Sequence, residues 1–494
     1  MNLSYQQFSL FIMMITVILS CSTGKKISAA KPTLTQAVKE KNNPEPPIEI
    51  KKHRMVLPSL MNTFRTSLCI AKWKDYYLIS YFDQKEQTHL LKTRDFEKFE
   101  KLNVFNKTVI WDINTDAGQI AILSSPIPDE RRYYDMFFKI MDEKGNIQKS
   151  TKLLGDADVK KPLAYILDDS GNRQLSWLKN QYSAAFTIQH NWSDKISAPD
   201  VHQAHTEMFI TKNGEILGNN IDWIASHTFE LNSFVSENYK LKIAKGDAYP
   251  RGIHYEFRSK ELEIDDEDPE EIYYSALFFK SGSPMKISGE IGENKVDLTL
   301  AEPIIDEEKQ KIYIGGTTRD KRVSSDIFFI KENYMDEENK EETIWLTNTP
   351  KTEEHALRMF PYSKNSFLLL WSEYDMNMAK SLNEDWYDDI LYDEEKEDVE
   401  CLENLYPEIQ KKQKTKAQLI DKEGNLLGKA TTVDMNICML YRDFTENNDR
   451  IYESLTDYEM ELPESLVEEN RLILPFYYPI SREIIFYEIM RPGN

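Results

Sequence analysis

From about residue 60 onwards, the chain repeats a two-part pattern of apolar runs separated by polar connections. In each copy, a short run of aromatic and β-branched residues comes first, and a second apolar run ends in a turn rich in Gly, Asn, Asp or charged residues. Short runs bounded by turn residues are typical of antiparallel β-strands. The copies lie at Tyr76–Phe82 with His89–Asp95, Gln119–Leu123 with Asp135–Met141, Tyr182–Ile188 with Glu207–Thr211, Gly252–Phe257 with Ser275–Phe279, Lys311–Gly316 with Asp326–Ile330, Phe367–Trp371 with Ala417–Asp421, and Arg471–Phe476 with Glu483–Ile489.

Several copies end in turns of similar composition. Asp142–Asn146 and Asp421–Asn425 share the pattern Asp-x-x-Gly-Asn, and Lys212–Glu215 has Asn-Gly at its centre. These residue types tolerate the positive φ angles of tight hairpins. Because no long helical period lies between the apolar runs, the pattern argues against a doubly wound α/β sheet.

The regular spacing of the hairpins predicts the fold class. Repeats of this kind are typical of an all-β protein with a β-propeller, and closing the strands into a ring removes their exposed edges. We expect seven blades, with six or eight blades, or two β-domains divided near residue 240, as alternatives. The chain has a single Trp-Asp pair, Trp111 and Asp112, so it matches no named blade repeat.

Three charged segments interrupt the repeat. Glu263–Glu271 and Asp336–Glu342 are short and acidic, whereas the segment at about residues 380–416 has an acidic start and a basic end. We expect the last to be an insertion in a propeller domain of residues 56–494. Loops on a rigid scaffold commonly meet binding partners, which makes this insertion a candidate contact surface.

The first residues of the chain predict an export signal. Phe8–Leu19 is apolar or neutral, and its length is too short to span a bilayer but suits the apolar part of a signal peptide at residues 1–20. Ile18–Cys21 resembles the bacterial lipobox, in which the signal is removed before a cysteine that carries a lipid. A plain cleaved signal and an uncleaved anchor are the alternatives.

A polar, Pro-rich segment follows the lipobox. Residues 21–55 have no apolar period and are typical of a flexible tether behind a lipidated Cys21. The chain is thus similar to exported bacterial lipoproteins with a propeller-like body. This resemblance implies attachment to the membrane by the lipid, in the bacterial cell envelope, with the outer membrane or cell surface favoured over the inner membrane.

Composition excludes some classes of partner. The formal net charge of −22 argues against nucleic-acid binding, because that binding depends on Lys and Arg that neutralise phosphates. The chain contains four Cys, so after lipidation of Cys21 at most one disulfide could form. Cys69 and Cys438 lie in apolar surroundings, which predicts buried core positions.

One stretch combines several residue types that bind ligands. His227 precedes a Gly- and Pro-containing bend that holds Asp247, Tyr249, Arg251 and His254, just before a predicted strand. An Arg in such a pocket binds a carboxylate or phosphate at two points. We expect a ligand pocket here; the alternative is a structural turn in which Asp247 and Arg251 form an ion pair.

Histidines elsewhere suggest a metal site only weakly. His202 and His205, with His190 and Asp200 nearby, could ligate zinc, but the spacings of known zinc enzymes are missing and surface histidines explain the pattern better. We therefore expect no metal and no cofactor.

The sequence contains no recognised catalytic motif. No nucleophile elbow, phosphate loop or dinucleotide fingerprint occurs. We therefore expect a non-catalytic binding or scaffold module of the cell envelope, which meets a protein or glycan partner through its loops. The alternative is a hydrolase of a glycan or peptide that uses the axial pocket of the propeller.

Overall fold

The computed structural model describes the part of the chain that forms β-strands and their connections. The described residues are 48–61, 68–127, 133–154, 164–167, 173–191, 201–223, 228–235, 239–246, 249–257, 273–275, 298–306, 308–309, 311–318, 322–333, 342–375, 413–437, 465–478 and 481–492. The signal peptide and Cys21 lie outside them and stay predictions. No helix in these ranges is long and apolar enough to cross a membrane.

The described residues form seven antiparallel sheets, which we number in chain order. The first strand, β1 (Ile50–Val56), belongs to the last sheet. Sheet 1 contains β2 (Cys69–Trp73), β3 (Tyr76–Phe82), β4 (Gln87–Thr93) and β5 (Glu100–Asn106). Sheet 2 contains β6 (Thr108–Asn114), β7 (Ile120–Pro126), β9 (Met136–Met141) and β10 (Ile147–Leu154), whereas β8 (Tyr133–Tyr134) joins sheet 3.

The next two sheets occupy the middle of the chain. Besides β8, sheet 3 contains β11 (Ala164–Leu167), β12 (Gln174–Leu178), β13 (Gln181–Asn191), β14 (Val201–Thr211) and β15 (Ile216–Trp223). Sheet 4 contains β16 (Thr228–Val235), β17 (Tyr239–Gly246), β18 (Tyr249–Phe257) and β19 (Tyr273–Ser275).

The last three sheets carry the features that concern function. Sheet 5 contains β20 (Leu298–Leu300), β21 (Ile304–Asp306), β22 (Lys311–Thr318), β23 (Asp326–Asn333) and β24 (Glu342–Trp345). Sheet 6 contains β25 (Thr352–Ser363), β26 (Ser366–Asp375), β27 (Lys414–Asp421) and β28 (Thr431–Val433). Sheet 7 contains β29 (Leu466–Val467), β30 (Arg471–Tyr478) and β31 (Glu483–Met490), completed by β1.

Several neighbouring sheets pack against each other through apolar side chains. The rings of Phe138 in sheet 2 and Tyr182 in sheet 3 have centroids 4.9 Å apart, and sheets 5, 6 and 7 share two further apolar clusters. Phe486 of sheet 7 packs in one cluster with Ile79 of sheet 1, so the last sheet meets the first. This arrangement confirms the predicted all-β propeller. From Val38 to Asn494 the chain forms one compact unit, which contradicts the alternative division near residue 240.

The N-terminal strand closes the ring. Ile50–Val56 forms β1, although the sequence pattern assigned all but the last of these residues to the tether at 21–55. The strand pairs with β31 along its length, from Ile50 with Ile489 to Val56 with Glu483. Only Met55 among its seven residues is buried, because β1 is the outermost strand of its sheet. Its polar composition therefore resembles that of a linker.

A charged network surrounds this closure. Arg471 of β30 donates a hydrogen bond of 2.7 Å to Glu488 of β31, and it also pairs with Glu468. His53 of β1 lies 3.2 Å from Glu488, and Lys72 of sheet 1 lies 2.5 Å from Glu468. The network thus links the N-terminal strand, the C-terminal strands and the first sheet.

Both carboxylates of the network have lowered pKa values. Burial by itself would raise the pKa of Glu468, but hydrogen bonds from Lys72 and Arg471 outweigh it. For Glu488, hydrogen bonds from Arg471 and His53 outweigh burial in the same way. A carboxylate with a lowered folded-state pKa stabilises the fold above its unfolded value of about 4.3, and this contribution is lost as the pH falls through the folded value.

We expect Arg471→Met to lower the free energy of unfolding by about 2 kcal/mol at pH 7, because two part-buried carboxylates each lose one of their partners. This is less than the cost for a fully buried pair, since Arg471 keeps a quarter of its side chain exposed. Urea unfolding at pH 7 and at about pH 3 measures the effect, which should shrink in acid as both carboxylates take up protons. Arg482→Met, at an exposed turn, is the control. An equal loss at both pH values would contradict the electrostatic explanation.

Candidate functional site

The predicted ligand pocket falls only partly within the described residues. Tyr249, Arg251 and His254 lie on β18, which β17 separates from the first strand of sheet 4. His227 and Asp247 lie outside the described residues. The pocket therefore stays a prediction.

The histidines of sheet 3 are adjacent in backbone register. His190 of β13 is opposite His202 of β14, and His205 is opposite Thr187. Among the described residues, no group of three or more His, Cys, Asp or Glu residues is arranged to hold a metal ion.

A different constellation lies where one end of sheet 5 meets sheet 6. We call it the carboxylate cluster, and it consists of Asp326, Glu353, Glu354 and Glu373. Asp326 begins β23, whereas Glu353 and Glu354 follow the first residue of β25. Glu373 lies near the end of β26, directly opposite Glu354. Because the first three side chains belong to residues that are only 1% exposed, each carboxylate needs hydrogen-bond or charged partners.

Asp326 has a full set of such partners. Arg322 donates a hydrogen bond of 2.6 Å to its Oδ2 atom, and the backbone N–H of Thr349 donates one of 2.8 Å to Oδ1. The guanidinium of Arg322 also lies 3.7 Å from the ring centroid of Trp345. Asp326 is therefore held as an ion-paired carboxylate within the cluster.

The surroundings of Glu354 favour, on balance, its protonated form. Its Oε2 atom accepts hydrogen bonds from the backbone N–H of Ile327, at 3.2 Å, and from the hydroxyl of Thr347. Burial raises the pKa of Glu354 to about 7, the negative charges of Asp326 and Glu373 add to this effect, and the two hydrogen bonds oppose it. Glu354 therefore keeps its proton to a much higher pH than an ordinary glutamate does.

Glu373, beside Glu354, is more exposed to solvent. Its side chain is 24% exposed, and its Oε2 atom lies 3.4 Å from Nζ of Lys416. Directly opposed residues of an antiparallel pair have Cβ atoms about 4.5–5.5 Å apart, so the two side chains leave the sheet as neighbours. A buried carboxylic acid and a more exposed, ion-paired carboxylate therefore lie side by side.

The backbone of β25 bulges immediately beyond this pair. His355 is opposite Ser372, but Arg358 is opposite Leu370, so β25 contains one extra residue. Ala356 within the bulge has a φ of +52°, which is unusual for a residue other than Gly. Bulges and such strained residues are enriched next to active sites, where they set the direction of a side chain.

Sequence reasoning overlooked this cluster. Because the chain contains 83 Asp and Glu, a pair of acidic residues has little diagnostic value by itself. The available signal was the order of residues in Thr352–Phe360, where three consecutive titratable side chains open a strand that continues as a mostly apolar run. Such residues at the start of a buried strand must be paired or functional.

Comparison with known proteins gives structural likenesses only. No protein-family model matches the chain, and no curated protein matches it. Prolyl oligopeptidase B from Galerina marginata is similar with a TM-score of 0.39 and 10% identity, over 75% of this chain and 45% of that chain. The α-L-arabinofuranosidase of Fusarium graminearum with arabinobiose is similar with a TM-score of 0.36 and 8% identity, over 64% and 90%.

An endo-arabinase from Bacteroides thetaiotaomicron is also similar, with a TM-score of 0.26 and 11% identity, over 64% of this chain and 92% of that chain. The chain spans about half the length of the prolyl oligopeptidase and prolyl endopeptidase that it matches. The similar proteins named here are enzymes, unlike the non-catalytic binding or scaffold module that the sequence predicted. That expectation is wrong. The alternative given by the sequence was a hydrolase. Within this chain, the carboxylate cluster is the feature that supports this alternative.

Proposed function

We propose that the chain is a hydrolase that cleaves glycosidic bonds, with Glu354 as proton donor and Glu373 as the second carboxylate. The observation that carries this proposal is the direct pairing of the two residues across β25 and β26 in unequal surroundings. Most glycosidases use two carboxyl groups, one that donates a proton and one that acts as a carboxylate. Differences in burial are the usual means of giving two such groups different roles.

The chemistry needs no other group than this pair and water. Glu354 gives its proton to the leaving oxygen while the bond between that oxygen and the sugar C1 breaks. Glu373 either stabilises the positive charge that develops at C1 or accepts a proton from the water that attacks there. The water oxygen forms the new bond to C1, and the proton that the water releases returns the pair to its starting state.

The surroundings of Glu354 suit a proton donor. Thr347 and the backbone N–H of Ile327 fix Oε2, so the carboxyl group does not rotate freely. Asp326, which forms an ion pair with Arg322, contributes a negative charge that raises the pKa of Glu354. A fixed donor whose pKa lies close to the working pH transfers protons most effectively.

We expect the hydrolysis rate to fall as the pH rises above about 7. Glu354 must hold a proton to act, and its raised pKa means that the proton is lost around that value. The rate should then decrease about tenfold per pH unit well above the pKa. Release of reducing ends from soluble polysaccharides, arabinan and cellulose derivatives included, measures this profile. Cleavage of peptides but not of any polysaccharide, or a rate that increases above pH 8, would contradict the proposal.

A further inference from the structure

The carboxylate pair of sheet 6 continues as a row of charged residues onto the next strand. Glu354 of β25 is directly opposite Glu373 of β26, and Glu373 is directly opposite Lys414 of β27. Directly opposed residues of antiparallel strands project from the same face of a sheet, with Cβ atoms about 4.5–5.5 Å apart. A carboxylic acid, a carboxylate and an ammonium group therefore follow one another across three strands. We call these three residues the charged row.

The charged row lies on the face of sheet 6 that packs on sheet 5. Glu354 accepts a hydrogen bond of 3.2 Å from the backbone N–H of Ile327 in β23. Trp371, two residues before Glu373 on β26, packs in the apolar cluster that sheets 5 and 6 share. Because side chains alternate between the faces of a strand, Glu373 shares the face of Trp371. Lys414 belongs to this face as well, since it is directly opposite Glu373.

The exposure of the charged row increases from β25 to β27. Glu354 is 1% exposed, the side chain of Glu373 is 24% exposed, and Lys414 is exposed. His355 does not belong to the row, because it is opposite Ser372 on the other face of the sheet. Solvent therefore reaches the row from the side of Lys414. A substrate that approaches the carboxylate pair from this side meets the ammonium group.

The cations near the charged row differ in their contacts. Nζ of Lys416, on the same face as Lys414, lies 3.4 Å from Oε2 of Glu373. Arg322 of sheet 5 forms an ion pair with Asp326. Lys414 has no carboxylate within ion-pair distance among the described residues. Its charge is therefore available to a group outside the protein, whereas the other two cations are paired with carboxylates of the cluster.

We propose that the substrate is an anionic glycan with uronic acid units, and that Lys414 binds the carboxylate of a unit next to the cleaved bond. This inference rests on the proposed function, because it places the sugar chain against Glu354 and Glu373. Neighbouring strands lie about 4.8 Å apart, which is comparable with the length of one sugar unit, so a sugar beside the carboxylate pair reaches Lys414. Lys416 neutralises Glu373 and so reduces its repulsion of the uronate.

The long-range field of the protein opposes this substrate. The formal net charge of −22 repels an anionic polymer, so binding depends on local contacts with cations. An ammonium group attracts a carboxylate as a compact point charge. Removal of the Lys414 charge should therefore weaken binding of an acidic glycan without the same effect on a neutral one.

Calorimetric titration at low salt compares trimers of galacturonate, mannuronate and glucuronate with their neutral methyl esters. The full chain with Glu354→Gln is used, so that the probes are not cleaved. We expect at least one acidic trimer to bind more tightly than its ester. Lys414→Met should weaken binding of that trimer about fivefold, at the upper end for an exposed ion pair, and Lys414→Arg should restore it. Lys429→Met, at an exposed lysine of sheet 6 outside the row, is the control and should bind like the parent.

The results separate this proposal from the proposed activity. Equal binding of acids and esters, unchanged binding by Lys414→Met, or absence of binding by all three acids would overturn the uronate substrate. Hydrolysis of a neutral polysaccharide by the wild-type protein, together with any of these results, would leave the proposed activity standing. Conversely, binding of an acidic trimer that depends on Lys414, without hydrolysis of any glycan, would support the uronate contact and contradict the proposed activity.

Discussion

Glu354→Gln should reduce the rate of polysaccharide hydrolysis by about 10²–10⁴-fold, the range that general acid catalysis contributes. The amide resembles the protonated carboxyl group in shape, but it cannot give a proton to the leaving oxygen. The loss should appear in kcat, with KM nearly unchanged, because substrate contacts are kept. Steady-state kinetics at about pH 6 on the best polysaccharide measures the effect.

Stability measurements separate this loss from unfolding. A carboxyl group whose folded-state pKa is raised stabilises the fold below its unfolded pKa, and this contribution is lost as the pH rises through the folded value near 7. Glu354→Gln has no such titration, so its stability relative to the wild-type protein should increase between about pH 5 and pH 8. A variant that keeps wild-type activity would exclude Glu354 as the proton donor.

Gly424→Ala is expected to cost about 2–5 kcal/mol of unfolding free energy. Gly424 has a φ of +80° in the turn between β27 and β28, a conformation that costs a residue with a Cβ atom about 1–2 kcal/mol. An added Cβ would lie 2.7 Å from Ile344 Cδ1 and 3.0 Å from Phe329 Cδ1, both in sheet 5. Overpacking of this kind costs a further 1–3 kcal/mol or so.

Gly428→Ala is the matched control for this turn. Gly428 has a φ of +89°, but an added Cβ would meet no heavy atom within 4 Å. Its substitution should therefore cost only the backbone strain of about 1–2 kcal/mol. Urea unfolding of both variants gives two losses of unfolding free energy. Their difference is the cost of the close contact between the added Cβ atom and sheet 5, without the backbone strain. Equal losses of unfolding free energy in the two variants would show that the turn of sheet 6 does not pack closely against sheet 5.

The sequence predicted the middle of most sheets well. Except in the fourth unit, each pair of apolar runs corresponds to the second and third strands of a sheet; Phe367–Trp371 and Ala417–Asp421, for example, lie within β26 and β27. Strands such as β3 and β30 are buried along almost their whole length, so they appear in the sequence as continuous apolar runs. The turns Asp142–Asn146 and Asp421–Asn425 also formed as expected, each with backbone hydrogen bonds across its ends.

The outer strands and the ring closure could not be predicted in this way. In β5, Glu100–Asn106, none of the residues is buried, and its sequence therefore lacks an apolar period. The pairing of β1 with β31 joins residues more than four hundred positions apart. A local sequence pattern cannot predict such a pairing. Strands at the edge of a sheet need few apolar residues, because one side meets solvent.

The carboxylate cluster depends on long-range geometry as well. Glu354 has its raised pKa because β25 brings it against Ile327 of sheet 5 and because β26 places Glu373 opposite it. Neither neighbour is close to Glu354 in sequence. The sequence could show that titratable residues stand at the start of a buried strand. It could not show which of these residues would keep a proton at neutral pH.

Titration of the Glu354 carboxyl group tests the central claim most directly. Protein labelled with carbon-13 in the side-chain carboxyl of glutamate gives one resonance per residue, and the Glu354 signal is identified by its absence from Glu354→Gln. We predict a midpoint of about pH 7 for this resonance. A midpoint near the ordinary glutamate value of about 4.3 would contradict the proposal, because Glu354 would then hold no proton to donate at neutral pH.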